Sequence, residues 1–313
     1  AGTPTDNAAM ESINGWIKTE LFMDLHVTGE KAVEKEVDDY ILFFTNAGRV
    51  YVRKGYVIPE AGRNARGTSM VNVLPLEPEE KVSAMLRGHG LNEEDYIMFF
   101  TRQGVVKRMS QSELRNVRRS GIRALELNEG DELIQVLTTH GGDTLMVVTR
   151  EGMSIRFSEN DVRPMGRIAV GVRGIRLREG DRVVAAVKAN ERADLLTVTE
   201  NGYGKRTSMN EYTVQNRGGM GLKTYHITDK TGCLVGAKRV YGDEDILLVS
   251  DDGTVIRMGA DGISRLGRST QGVRVMRLQE GSRVISIART EHEEAASGEA
   301  DEGIPSEPAE MKQ

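Results

Sequence analysis

The sequence contains five copies of one unit, each marked by two glycines that recur at nearly constant intervals. The first glycine closes a short apolar run, and the second follows 17 or 19 residues later. The pairs are Gly48 and Gly67, Gly104 and Gly121, Gly152 and Gly171, Gly202 and Gly221, and Gly253 and Gly272. Chance does not maintain such intervals through five copies, so the chain must fold as an array of similar units.

Each unit is predicted to form four short strands. An apolar run such as YILFFTNAG (40–48) is typical of a buried strand that ends in a hairpin turn. RVYVRK (49–54), SMVNVL (69–74) and a strand after the acidic turn LEPEEKV (76–82) complete the first unit. A single sheet of this size cannot bury both faces, so the units must pack against one another. The pattern therefore predicts an all-β, propeller-like fold of four-stranded blades.

Charge divides the chain into three parts. Residues 1–38 hold 3 Lys/Arg against 8 Asp/Glu, and residues 291–313 hold 1 against 8. Residues 39–290 hold 38 basic against 31 acidic residues, and 30 of the basic residues are Arg. We therefore expect a partial or atypical first blade over 1–38, a basic propeller-like domain over 39–290 and a disordered acidic tail over 291–313.

Arginines recur at two fixed positions in the unit. One set stands four residues after the first glycine, and Arg156 and Arg206 are examples. The other stands four residues before the second glycine, as Arg167 and Arg217 do. In a ring of blades such sets predict a positive belt along the rim, suited to the phosphates of duplex DNA. The alternative is that these arginines pair with acidic residues between blades.

No pattern of catalytic or metal-binding residues is visible in the sequence. The five histidines are scattered, and the acidic pairs recur in turns. The single Cys233 excludes a Cys-rich metal site, and we expect neither a metal nor a cofactor in this chain. Aromatic residues make up 5% of the chain, too few for stacking on single-stranded bases, which favours duplex DNA as the partner.

Four longer segments of the repeats have a distinctive sequence: YILFFTNAGRVYVRKGYVIPEAGRNARGTSMVNVLPLEP (40–78), NGYGKRT (201–207), EYTVQNRGGMGLKT (211–224) and STQGVRVMRL (269–278). These segments resemble the family of C-terminal domains found in the A-type chain of DNA gyrase. The resemblance covers about 39–290. It implies a six-bladed β-pinwheel in which neighbouring blades exchange a strand.

The resemblance also implies a function. The domain would bend and wrap DNA so that a type IIA topoisomerase can introduce negative supercoils, with ATP and Mg²⁺ used elsewhere in the holoenzyme. The implied partners are duplex DNA, the B-type chain of gyrase and the rest of the A-type chain in an A2B2 assembly. The implied location is the bacterial cytoplasm, at the nucleoid. The family's catalytic tyrosine and cleavage domain do not occur in this sequence.

The family's hallmark is a basic glycine-rich box of the form Q-[KR]-R-G-G-[KR]-G, normally in the first blade. The nearest match is Gln215, Asn216, Arg217, Gly218, Gly219, Met220 and Gly221, in which Asn216 and Met220 replace basic residues. The residues predicted to contact DNA are Arg63, Lys107, Arg108, Arg118, Arg119, Arg156, Arg167, Lys205, Arg206, Arg217, Lys223, Arg257 and Arg268.

Two other functions remain open at this point. The chain could be the matching domain of the A-type chain of topoisomerase IV, which decatenates DNA. It could also be a propeller-like protein-interaction scaffold without a DNA role, in which case the arginines would be scattered or paired with carboxylates.

Overall fold

A computed structural model of the protein describes residues 40–55, 69–88 and 95–291. The described residues form 19 β-strands, one short α-helix, α1 (Met70–Val73), and four 3-10 turns. The strands are β1 (Tyr40–Thr45), β2 (Arg49–Lys54), β3 (Val82–Gly88), β4 (Tyr96–Thr101), β5 (Val105–Ser110), β6 (Ile122–Arg123), β7 (Leu133–Thr139), β8 (Thr144–Thr149), β9 (Met153–Ser158), β10 (Val172–Arg173), β11 (Val183–Lys188), β12 (Asp194–Thr199), β13 (Tyr203–Ser208), β14 (Leu222–Lys223), β15 (Leu234–Val240), β16 (Glu244–Ser250), β17 (Val255–Gly259), β18 (Val273–Arg274) and β19 (Val284–Glu291). The 3-10 turns are Gln111–Leu114, Glu159–Asp161, Met209–Glu211 and Ala260–Gly262.

The strands form five antiparallel sheets, which we number as blades 1 to 5. Their strand orders are β3-β1-β2-β6, β7-β4-β5-β10, β11-β8-β9-β14, β15-β12-β13-β18 and β19-β16-β17. The inner strand of each blade comes from its own repeat, and the five inner strands line a cavity of about 630 Å³. We call this cavity the axial cavity.

The outermost strand of blades 1 to 4 has only two residues and comes from a later repeat. β6, for example, pairs with β2 through Val50 and Ile122, and β14 pairs with β9 through Ser154 and Leu222. We call β6, β10, β14 and β18 the edge strands. Because each edge strand crosses to the preceding blade, the strand exchange that the family resemblance implied is present.

The second glycine of the repeat is required where the chain makes this crossing. A Cβ at Gly221 would lie 2.1 Å from the carbonyl oxygen of Ser154, and the residue has a φ of +74°. Gly171 has a φ of +108° and would place a Cβ 2.5 Å from the Val106 oxygen. Only glycine fits both the backbone conformation and the close approach, which explains the constant spacing in the sequence.

The core lies between successive blades. Leu42 and Phe44 of blade 1 share one buried cluster with Ile97 and Phe99 of blade 2. The rings of Phe44 and Phe99 meet edge to face with their centroids 5.6 Å apart. Apolar side chains on both faces of β1 are buried, because each face meets different neighbours. This double burial explains why the first strand of the repeat is continuously apolar and not alternating.

The structure corrects three expectations about the strands and blades. We expected six blades, and the described residues form five. We expected four strands in every blade, and blade 5 has three, because no described segment pairs with the free edge of β17. We expected a strand over 69–74, whereas Met70–Val73 form a helical turn that carries the buried Leu74 against Tyr51 and Met85.

The predicted first blade over 1–38 lies outside the described residues. The predicted tail also lies outside them, apart from Glu291, which ends β19.

Candidate nucleic-acid interface

Three of the arginines that follow the first glycine are directed into the boundary between blades. The Arg108 guanidinium lies 3.4 Å from the Glu159 carboxylate and 3.7 Å from the centre of the Tyr96 ring. It also donates a 2.9 Å hydrogen bond to Asn160. Arg108 is only 5% exposed, so its charge is neutralised inside the protein.

The same position holds Arg156 and Arg206 in the next two blades. Arg156 donates from Nη1 to the carbonyl oxygens of Met209 and Tyr212, at 3.1 Å each. Arg206 donates to the Ile263 oxygen at 2.8 Å and lies 3.5 Å from the Asp194 carboxylate. All these carbonyls belong to the following repeat, so we call Arg108, Arg156 and Arg206 the interblade arginines.

The prediction that this set forms an exposed belt is therefore wrong for the interblade arginines. Their strand position is inside the boundary, where the helical turn of the next repeat leaves carbonyl groups that need donors. Arg257 occupies the same position in blade 5 and is more exposed, with its Nε 2.8 Å from the Asp245 carboxylate. The alternative, that these arginines pair with acidic residues between blades, holds for Arg108 with Glu159. Arg156 is bound by carbonyl groups of the next repeat, and the carboxylates beside Arg206 and Arg257 belong to the same blades as those arginines.

Lys107 and Lys205 are also buried, with no exposed surface. Lys107 donates to the carbonyl oxygens of Ala124 and Arg167, both at 2.7 Å. Lys205 donates to the oxygens of Gly267 and Arg268, at 2.7 and 2.6 Å. Each ammonium group thus binds the backbone of a glycine-rich loop from inside the protein. The expectation that these two lysines contact DNA is wrong, because neither is exposed.

Burial also changes the protonation of these lysines. Desolvation lowers the pKa of both ammonium groups to about 8. The nearby guanidinium groups of Arg167 and Arg268 act on the pKa in the same direction.

The loops that these lysines hold carry the second predicted set of arginines. Arg167 is exposed and lies 3.7 Å from Glu113. Arg217 is half-buried and donates to the carbonyl oxygens of Asp161 and Arg173, at 2.8 and 3.0 Å. Arg268 is half-buried, 5.9 Å from the centre of the Tyr212 ring. Unlike the interblade arginines, all three side chains are at least partly exposed. Arg63, the first member of the set, lies outside the described residues.

The degenerate box forms the corresponding loop between β13 and the edge strand β14. Gln215 donates its backbone N–H to the Arg156 oxygen at 2.7 Å, and Gly218 donates to the Gly174 oxygen at 2.6 Å. Asn216, Gly219 and Met220 are exposed. Ile155 stands beneath this loop at the position that Lys107 and Lys205 occupy beneath the other two. The box loop is therefore held by backbone hydrogen bonds without a buried ammonium group.

The edge strands provide a set of basic residues that our sequence reasoning largely missed. In each edge strand the second residue is basic and exposed. These edge cations are Arg123, Arg173, Lys223 and Arg274, and only Lys223 was predicted. The signal was present in the sequence, because each of these second glycines is followed by one aliphatic and one basic residue.

Hydrogen bonds connect the segments that follow β6, β10 and β14 to the next glycine-rich loop. The backbone N–H groups of Glu126, Arg176 and His226 donate to the oxygens of Ala169, Gly219 and Thr270, at 3.4, 2.8 and 3.1 Å. The outer edge of blades 1 to 4 is thus one connected surface. Arg176 and Arg277 add exposed charge three residues after an edge cation. We call this surface the basic rim.

Three edge cations have polar side-chain neighbours, and only the neighbour of Arg123 is a carboxylate. Arg123 lies 2.7 Å from the Glu126 carboxylate. Arg274 donates to the Tyr203 hydroxyl at 3.0 Å, and this hydrogen bond lowers the pKa of that phenol. Lys223 lies 3.5 Å from the His226 ring.

Arg118 and Arg119, both predicted to contact DNA, are exposed in the turn that precedes β6.

Two other kinds of site are absent from the described part of the chain. No group of three or more His, Cys, Asp or Glu residues there could hold a metal ion. None of its helices has the length and apolar character needed to cross a membrane.

The fold and the rim together define a class: a strand-exchanged β-propeller whose outermost strands carry basic residues. The model of the DNA gyrase C-terminal domain, a β-propeller family, matches residues 39–87, 95–140, 143–190, 193–240 and 244–291. The chain belongs to this family.

Curated relatives agree with the family assignment. The A-type chain of DNA gyrase from Halalkalibacterium halodurans is 52% identical over 85% of this chain and 32% of its own length. The corresponding gyrase chains of Streptococcus pneumoniae and Clostridium acetobutylicum are 50% and 45% identical, over 87% and 84% of this chain. The protein thus spans about a third of the length of these relatives.

Solved structures share the fold. A DNA gyrase A C-terminal domain superposes with a TM-score of 0.71 at 26% identity, covering 81% of this chain and 83% of that one. A C-terminal domain of DNA topoisomerase IV superposes with a TM-score of 0.76 at 24% identity, covering 82% of this chain and 80% of the other.

Proposed function

We propose that the basic rim binds and bends duplex DNA, so that the domain wraps a DNA segment for a type IIA topoisomerase. The observation that carries this proposal is the position of the edge cations. Four successive blades present a basic side chain on the same outermost two-residue strand. A row of cations of this kind suits a polyanion such as the phosphate backbone of a duplex.

The connection between edge strands and loops supports bending and not only binding. A bend of a short DNA site costs on the order of 1–6 kcal/mol, so the protein must hold its cations on a fixed curved surface. The backbone hydrogen bonds along the rim and the two buried lysines hold the loops in place. Phosphate contacts of this type select DNA by its deformability, so we expect weak sequence preference.

Membership in the gyrase family supports a place in a larger enzyme. We propose that the domain acts within an A2B2 holoenzyme, together with the B-type chain of gyrase, in the bacterial cytoplasm. ATP and Mg²⁺ would be used elsewhere in that assembly, and the rim would set the direction of supercoiling. The residues of this chain contribute charge and shape, and they perform no bond cleavage in this scheme.

The proposal is tested by removing the edge cations together. A variant with Arg123→Gln, Arg173→Gln, Lys223→Gln and Arg274→Gln should lose about one unit of salt dependence for each phosphate contact removed. The measurement is duplex affinity between about 50 and 300 mM salt, with the linking-number change of a nicked plasmid resealed in the presence of the chain.

A matched control removes the same charge away from the rim. Arg178→Gln, Arg182→Gln, Arg192→Gln and Arg283→Gln alter four arginines that lie outside the edge strands and glycine-rich loops. If the two variants lose the same affinity, the interaction depends on the net charge of the chain and not on the position of the edge cations. Wild-type binding that does not change with salt would overturn the proposal altogether.

The topoisomerase IV domain is retained as a second candidate because its fold superposes well. The higher identity to gyrase chains favours gyrase. The plasmid assay separates the two candidates, since a domain that binds DNA without changing the linking number fits decatenation better. A protein-interaction scaffold explains the buried interblade arginines equally well, but it does not explain the exposed edge cations.

A further inference from the structure

A second group of basic residues lies on the inner strands, at the opposite side of each sheet from the edge strands. The strand registers place Arg87, Lys188, Arg239 and Arg289 opposite Ile41, Leu145, Leu195 and Ile246. These apolar partners occupy the same place in their repeats, so the four basic residues are equivalent in four different blades. Thr138 takes the position in blade 2. All five residues line the axial cavity.

Ion pairs compensate part of the positive charge at this cavity. Lys188 lies 3.7 Å from the Asp143 carboxylate, and Arg289 lies 2.9 Å from Glu244. The Nε of Arg239 is buried and has no hydrogen-bond partner among the described atoms. A buried N–H without an acceptor is costly, and it indicates a place where an anion would complete the hydrogen bonding.

We propose that Arg87, Lys188, Arg239 and Arg289, the axial ring, form a binding site for a small multivalent phosphate, distinct from the rim that binds duplex DNA. Guanidinium groups bind phosphate oxygens through paired hydrogen bonds, and three of the four ring residues are Arg. The cavity of about 630 Å³ has the size of a small-ligand pocket. Its ligand is therefore a compact polyphosphate, and the duplex remains outside on the rim.

The test uses the full chain and tripolyphosphate as the probe. Isothermal titration at low salt should show saturable binding, and the midpoint of thermal unfolding should rise with probe concentration. Arg239→Gln should weaken binding at least about tenfold, because it removes both the charge and the unpartnered N–H. Arg239→Lys keeps the charge and much of the bulk, and it should lose a smaller part of the affinity than Arg239→Gln does.

The edge-cation variant serves as the comparison. It should bind tripolyphosphate as tightly as the wild type does, whereas Arg239→Gln should retain duplex binding. If tripolyphosphate binding disappears in the edge-cation variant and persists in both Arg239 variants, the probe binds the rim and the axial ring is not a site. These results are independent of whether the rim wraps DNA.

A further variant tests whether the axial ring binds free phosphate alone or also the carboxylates of the chain's own C-terminal residues. Residues 292–313 contain seven Asp/Glu and one Lys, and they follow Arg289 closely in the chain. Changing the seven carboxylates to amides should leave tripolyphosphate affinity unchanged if free phosphate is the ligand. Tighter binding in that variant would support the axial ring as an oxyanion site for which the chain's own carboxylates compete.

Discussion

The interblade arginines and the edge cations belong to the same repeat but have opposite environments. Arg156 is buried and donates to two carbonyl groups, whereas Arg173 is exposed on an edge strand. Both recur from blade to blade at fixed places in the sequence. Recurrence therefore identifies positions that the fold needs, and it does not tell whether the fold needs them for packing or for a surface.

The difference follows from the direction of the strand exchange. An arginine in the middle of the second strand meets the following repeat as it turns beside its blade, as the bridge between Arg156 and Val214 shows. A basic residue in the edge strand has no further strand of its sheet outside it. At the first position the guanidinium group is buried and bound by internal hydrogen bonds. At the second position the basic group is exposed and can contact a polyanion.

The largest effect is expected for truncating an interblade arginine. Arg156→Ala removes two hydrogen bonds and leaves the carbonyl groups of Met209 and Tyr212 without that donor. We expect a loss of about 2–4 kcal/mol in the free energy of unfolding, measured by urea denaturation. Arg173→Ala should cost less than about 0.5 kcal/mol, since its side chain is exposed. Similar losses in the two variants would contradict the division between internal and surface arginines.

An intermediate effect is expected within the edge cations themselves. Arg123 lies beside the Glu126 carboxylate, so part of its charge is already compensated. Arg173→Gln should therefore weaken duplex binding severalfold more than Arg123→Gln does. Competition binding at one fixed salt concentration measures the difference. When Glu126→Gln is added to the wild type and to both variants, Arg123→Gln and Arg173→Gln should weaken duplex binding equally, because the compensating carboxylate is gone. If Arg173→Gln still has the larger effect, the compensation by Glu126 is not the reason.

The sequence predicted the repeat, the all-β class and the family, because hairpin glycines and apolar strands are local signals. It also assigned Arg167, Arg217 and Arg268, which lie beside the crossing glycine and are exposed or half-buried, to the set predicted to contact DNA. It could not separate Arg156 from these residues. Burial of an arginine depends on which carbonyl groups of the next repeat face it, and those contacts span more than 50 residues of sequence.

Two other outcomes depended on contacts that the sequence does not display. The helical turn at Met70–Val73 replaced a predicted strand, because its β-branched and apolar residues suit either structure and packing of Leu74 decided between them. The edge cations were missed because a two-residue strand is too short to show any periodicity. The blade number likewise reflects a global arrangement that one repeat does not encode.

The smallest effect is expected from the buried lysines, as a dependence of stability on pH. The pKa of Lys107 and of Lys205 is about 8 in the folded protein, against about 10.4 for an unperturbed lysine. Between these values the unfolded chain binds more protons than the folded chain, so stability should rise with pH. Well below pH 8 the lysines are protonated in both states, and they contribute no pH dependence.

The measurement compares the wild type with a Lys107→Met, Lys205→Met variant by urea denaturation at about pH 7 and about pH 9, on either side of the folded-state pKa. The wild type should gain up to about 1 kcal/mol per lysine relative to the variant, once solvent screening is allowed for. Burial raises the pKa of Tyr212 to about 12, and tyrosines of this kind oppose the gain only above about pH 10. Lys223→Met, at an exposed edge cation, should show no such difference. Parallel pH profiles for the wild type and the double variant would contradict this account. They would mean that the ammonium groups of Lys107 and Lys205 are not desolvated and titrate like that of the exposed Lys223.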